Sequence, residues 1–224
     1  MTCRRTPRPH PLRPTPGRAA AATGLLVLGA LPLLRTWSLQ WGATDAELDA
    51  TLPGDELLPV VHHSSTRGVA IRATPEQVWP WLVQLGQGRG GFYSYDVLEN
   101  LVGLDIRSAD RIEPHLQDLA VGDEVHLADD MALEVAILEP GRTLVLRSPA
   151  ADGPMDMPFR FTWCFTLVDA PGRTSRLVVR ERYAYRSPRA ALIVEPASMV
   201  SFLMSQRMLR GIRERAERLA YLGA

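Results

Sequence analysis

The chain has 224 residues, 46% hydrophobic and 22% charged, ordinary proportions that leave room for one domain of ~150 residues plus an N-terminal extension. Formal charge is zero overall, but the first 18 residues carry Arg4, Arg5, Arg8, Arg13 and Arg18 and no acid, so the body is acidic and nucleic acid is not the expected partner. All 25 basic residues are arginine, which excludes Schiff-base, pyridoxal phosphate and P-loop lysine chemistry.

Residues 1–18, rich in Pro and Arg, read as disordered. Ala19 to Leu34 follows without a charge. As a helix it spans ~24 Å, short of the ~30 Å hydrocarbon core. Arg35 can snorkel, however, and Trp37 and Trp41 suit an interfacial aromatic belt. Residues 19–41 are therefore expected to form a hydrophobic helix that anchors the protein in a membrane as a single pass. The arginine excess before it keeps the N-terminus cytoplasmic. A cleaved signal or a buried extension are the alternatives. Residues 42–65 are acidic, broken by Pro53-Gly54, and read as a linker with a short helix near Asp45–Leu52, leaving 66–224 as the folded domain.

The domain opens with a strand near Arg67–Ala73. Thr74 is then a good N-cap, Pro75 fits the first helical position, and Val78, Trp81, Leu82 and Leu85 form one apolar stripe. Gly86, Gly88 and Gly91 match G-x-G-x-x-G by letter, but they follow a helix instead of a strand, so a dinucleotide fingerprint is rejected. They serve better as positive-φ residues at a helix end. Arg89 within that bend is either a solvent-exposed turn residue or an anion contact.

Alternating runs follow at Asp123–Ala128, Met131–Leu138 and Thr143–Arg147, then around Phe161, Trp163, Phe165 and Leu167, and at Arg176–Tyr185. Turns at Val121-Gly122-Asp123, Pro140-Gly141 and Pro171-Gly172 separate them, and Asp129-Asp130 and Asp152–Asp156 look like hairpin tips. Hairpins without crossover helices argue for an antiparallel sheet. Pro188 to Tyr221 then switches to helical spacing, with Met199, Phe202, Leu209, Ile212, Ala216 and Leu219 on one face.

The helix TPEQVWPWL running into GQGRGGFYSYDVLEN resembles the START and polyketide-cyclase-like superfamily, often called SRPBCC, over roughly Arg67 to Leu222. The resemblance implies an α+β helix-grip fold: a curved antiparallel sheet around a long C-terminal helix, with an apolar cavity between them. It also implies that the segment after the first helix forms part of the cavity mouth. A small hydrophobic or amphipathic molecule, lipid or polyketide-like, is then the expected partner, and a cyclase or dehydratase the alternative.

Five residues are the candidate ligand-binding set: Tyr93, Tyr95, Trp163, Glu181 and Tyr183. The tyrosines of the bend either meet a ligand or plug the gap between helix and sheet. Glu181 shares a strand face with Leu177, Val179, Tyr183 and Tyr185, so a regular pleat aims it inward. A buried carboxylate needs a partner; Arg180, Arg182 or a more distant arginine are the choices. It is then a cavity acid, catalytic if the protein is an enzyme, or else a structural ion pair, or a bulge shifts the register and turns it to water. Trp163 has the same inward parity. Asp96, Glu99, Asp105 and Asp110 are explained by caps and turns. Two cysteines without CxxC spacing and histidines without ligand spacing predict neither a metal nor a cofactor, and no serine has a G-x-S-x-G context.

Overall fold

A computed structural model describes residue 29 and residues 31–101, 103–149 and 157–222. The chain divides into two units, Met1–Trp37 and Ser38–Ala224. In the first, residues 31–37 are helical. The expected single-pass anchor is corrected here: among the described residues, no helix is long and apolar enough to cross a membrane. A charge-free run that ends at Arg35 falls short of the bilayer core at 1.5 Å per residue. Residues 1–28, and with them most of that run, lie outside the described residues, as does the expected hairpin tip at Asp152–Asp156.

The second unit is a sheet, a long helix and the pieces that close them. Its elements are α1 (Asp45–Asp49), β1 (His63–Ile71), α2 (Pro75–Val83), α3 (Asp96–Leu101), β2 (Glu124–Ala128), β3 (Met131–Glu139), β4 (Thr143–Arg147), β5 (Phe159–Ala170), β6 (Thr174–Tyr185) and α4 (Ala191–Leu222). The six strands form one antiparallel sheet in the order β1-β6-β5-β4-β3-β2. Consecutive hairpins build β2 to β6. Only β1 must come from far away in sequence to cover the free edge of β6.

Strand alternation sorts the sheet into two faces. Phe161, Phe165 and Leu167 from β5, Leu177 and Val179 from β6, and Val69 and Ile71 from β1 join one buried core with Val78, Trp81 and Leu82 of α2 and Met208, Leu209, Ile212 and Ala216 of α4. Helix α2 begins as expected, with the Thr74 N–H donating to Gln77 Oε1 at 3.0 Å.

The opposite face of β6 is also covered. Arg176, Arg180 and Arg182 alternate along it and meet the segment expected as a linker. Arg176 forks onto the Glu47 carboxylate at 2.7 and 2.8 Å, and Arg180 reaches Asp55 at 2.8 Å. Arg180 also donates to the carbonyls of Glu47 and Ala50, and Arg182 pairs with Asp55 at 2.9 Å. A capping box between Thr44 and Glu47 sets α1 in place. Burial alone would raise the Glu47 carboxyl; the hydrogen bond and charge of Arg176 and the contacts with Thr44 outweigh it and hold it below the usual carboxylate range.

The glycine bend folds back on itself. Gly86 and Gly91 exchange backbone hydrogen bonds at 3.1 and 3.0 Å, and Gly86, Gly88 and Gly91 all have positive φ. Arg89 differs from both expectations: it is half-buried and donates to the carbonyls of Val83 and Leu116, both at 3.0 Å. It caps the C-terminus of α2, whose last carbonyls lack partners within the helix.

Candidate functional site: an internal cavity with two unlike carboxyl groups

Between the inner face of the sheet, α3 and α4 lies a cavity of about 310 Å³, within the size range of small-molecule sites. Its wall is mostly apolar: Phe92, Leu104, Ile106, Leu127, Leu133, Phe159, Phe161 and Met208 contribute, with Trp163 and Tyr183. The polar residues that interrupt it are Ser94, Glu99, Glu181, Ser201 and Ser205.

Register explains how Glu181 arrives. It stands between Ser65 of β1 and Trp163 of β5, two positions along the strands from the row formed by His63, Tyr183 and Phe161. The pleat turns it inward, where it is 4% exposed. Its partner is Arg67 of β1, whose Nη1 lies 2.8 Å from Oε1. Arg180 and Arg182, one residue away on either side, necessarily point to the other face. Ser205 donates to Oε1 and Ser201 to Oε2, each at 2.9 Å, and the Tyr183 hydroxyl lies 3.4 Å from Oε2. The carboxylate thus has a cation and three hydroxyls around it. Arg67 is itself 1% exposed, bonded to the Ser38 carbonyl and set over the Phe202 ring at 5.7 Å. Burial, then the neighbouring Glu181 charge, push the Tyr183 phenol well above its ordinary value.

Glu99 is the opposite case. It is 3% exposed, and its Oε2 is buried with no hydrogen-bond partner among the described residues. Burial first, and the Asp96 charge second, push its carboxyl up to about 7, against the smaller opposing effect of a hydrogen bond from Ser94. Protons therefore bind the folded form more tightly than the unfolded one. The charged form costs stability above the folded value, and that cost disappears as pH falls toward the unfolded value of ~4.3. Between about pH 8 and pH 5 the wild type should gain about 2 kcal/mol over Glu99→Gln in urea unfolding. Parallel profiles would show that the carboxyl ionises as an exposed one does.

The structure brings together Trp163, Glu181 and Tyr183 of the five candidates. Tyr93 and Tyr95 are corrected. Tyr93 is 1% exposed and donates to the Trp81 carbonyl at 3.0 Å, which fastens the bend to α2 instead of reaching the cavity. Tyr95 is 42% exposed. Phe92 and Ser94, which flank Tyr93, are the residues of that segment in the cavity wall. Arg67, Ser201, Ser205 and Glu99 join the site without standing out in the sequence as ligand-binding residues. For Arg67 a signal existed: it shares strand parity with Val69 and Ile71.

No protein-family model and no curated protein matches the sequence. Solved structures do. A Mesorhizobium loti protein, MLL2253, is 20% identical, with 70% of this chain and 98% of that one covered at a TM-score of 0.41. CalU16 of Micromonospora echinospora is 16% identical, covering 71% and 87%, at 0.33. A norcoclaurine synthase point mutant from Thalictrum, in complex with a transition-state analogue, is 12% identical, covering 65% and 94%, at 0.38. By its own topology, six antiparallel strands curved against one long C-terminal helix with a cavity between them, the chain has the helix-grip fold of the START and polyketide-cyclase-like superfamily that its sequence resembles.

Proposed function

We propose that this protein binds a small, largely apolar molecule in the cavity between sheet and α4. The observation that carries the reading is a partly open, largely apolar cavity with a few fixed polar groups, the common design of small-molecule sites. Apolar burial supplies the affinity at ~25 cal/mol per Å², and the Arg67–Glu181–Ser201–Ser205 cluster sets orientation. A cyclase- or dehydratase-like enzyme running on Glu181 and a tyrosine has less support. The Glu181 oxygens already accept from Arg67 and three hydroxyls, and Tyr183 holds its proton tightly. A group so engaged orients more readily than it exchanges protons.

Native mass spectrometry of the full-length protein should find a co-purified small molecule. Leu127→Trp, at a partly buried cavity position, should fill the space and weaken ligand binding at least ~tenfold while the melting temperature stays within a few degrees. Unchanged affinity in a folded Leu127→Trp protein would place the ligand elsewhere.

A further inference from the structure

We propose that Glu99 receives a basic nitrogen, so that the ligand of this cavity is an amine on a hydrophobic body; this rests on the cavity being the ligand site. The two carboxyl groups of the wall stand in contrasting states. Glu181 is matched in charge by Arg67 and in hydrogen bonds by Ser201, Ser205 and Tyr183. Glu99 has no cation beside it among the described residues, and only Ser94 offers it a hydrogen bond, too weak to offset its burial. Its Oε2 is buried without a partner, and the charge nearest in effect is Asp96, of the same sign. Buried polar atoms almost always have partners, and an isolated buried charge is costly.

An ammonium resolves both deficits, because it brings the opposite charge and up to three donors. The wall around it suits a cation with an apolar body. Phe159, Phe161, Trp163 and Tyr183 form one cluster, with the Phe161 and Tyr183 centroids 4.6 Å apart and those of Phe159 and Tyr183 5.4 Å apart, and ring faces attract cations. Trp163 Nε1 is also buried without a partner among the described residues, a donor available to an acceptor elsewhere on the ligand. An anionic ligand would meet Glu99 and Asp96 with the wrong sign. A neutral carbonyl would need Glu99 to keep its proton, and so would bind with the opposite pH dependence. The other charged or titratable groups of the site are Asp96 beside Glu99, Glu181 and Tyr183 from β6, and Arg67 from β1; α4 contributes only the serines, Ser201 and Ser205.

The test is calorimetry on the full-length protein with three probes of equal chain length: phenylbutylamine, phenylbutanol and phenylbutyrate. The amine should bind about ten- to hundredfold more tightly than the alcohol, as a charge-assisted contact implies, with the acid weakest. Glu99→Gln should remove that advantage and change the alcohol's affinity less than ~threefold. Amine affinity of the wild type should rise as pH is raised from about 5.5 to about 8. The inference is overturned if the amine has no advantage over the alcohol, if the advantage survives Glu99→Gln, or if it shrinks as pH rises. Should Glu99→Gln fail to fold, the wild-type probe series and its pH dependence decide alone. Binding of the alcohol without an amine preference removes this inference and leaves the cavity reading standing. Failure of all three probes removes both.

Discussion

Replacing Arg67 with methionine should destabilise the protein by about 3–5 kcal/mol, the usual effect of removing one member of a buried ion pair. The loss comes from what stays behind: Glu181, 4% exposed, would keep three hydroxyl donors and lose its cation. The Ser38 carbonyl would lose its Arg67 donor as well. The double variant Arg67→Met with Glu181→Leu should recover part of the loss, because a well-packed apolar pair often equals the ion pair it replaces. Recovery would be incomplete, since Ser201, Ser205 and Tyr183 would lose their shared acceptor, although helix serines can turn back to a carbonyl one turn earlier. Urea unfolding of the four proteins measures the coupling directly. If Arg67→Met costs less than ~1 kcal/mol, the cluster does not organise this end of the cavity.

Gly211→Ala is the second large effect, and its sign runs against helix propensity. Gly211 lies inside α4, where alanine is favoured by ~1 kcal/mol. A Cβ at this position, however, would collide with the Tyr93 carbonyl oxygen and come within 2.8 Å of the Tyr93 Cβ. Tyr93 cannot retreat easily. It is buried, its φ is 57°, its hydroxyl holds the Trp81 carbonyl, and Arg215 stacks over its ring at 4.8 Å. The helix must lift instead, and overpacking against backbone should cost about 3 kcal/mol in net stability. Phe92 and Ser94 would move with Tyr93, so ligand affinity should fall too. Glu214→Ala, on the exposed side of the same helix, should be nearly neutral. A Gly211→Ala protein as stable as wild type would show that the helix and the bend are not locked together.

Strand parity carried most of what the sequence could say about the site. Alternation along Leu177, Val179, Glu181 and Tyr183 aims Glu181 inward whatever the rest of the fold does, and the same reasoning places Trp163. What parity cannot supply is the neighbour. Ser65 and Arg67 reach Glu181 through a strand pairing that spans more than a hundred residues, so nearby Arg180 and Arg182 looked equally eligible. The serines of α4 were hidden by a helical face read a little off its true line: Met199 is 47% exposed, while Ser205 is buried. Glu99 read as an ordinary residue of a short helix because nothing local marks it as covered. Tyr93 is a related case. Aromatic clustering in the bend is evident, but the positive φ of Tyr93, its ring against Trp81 of α2 and its backbone against Gly211 of α4 are not local to the bend.

The segment before β1 has a practical consequence. A protein trimmed to start at residue 66, as composition invites, would lose Glu47 and Asp55 and uncover Arg176, Arg180 and Arg182 in a row along one strand. Such a basic ladder attracts polyanions. Heparin or nucleic-acid retention by the shortened protein would therefore be an artefact of the cut, absent from the intact chain.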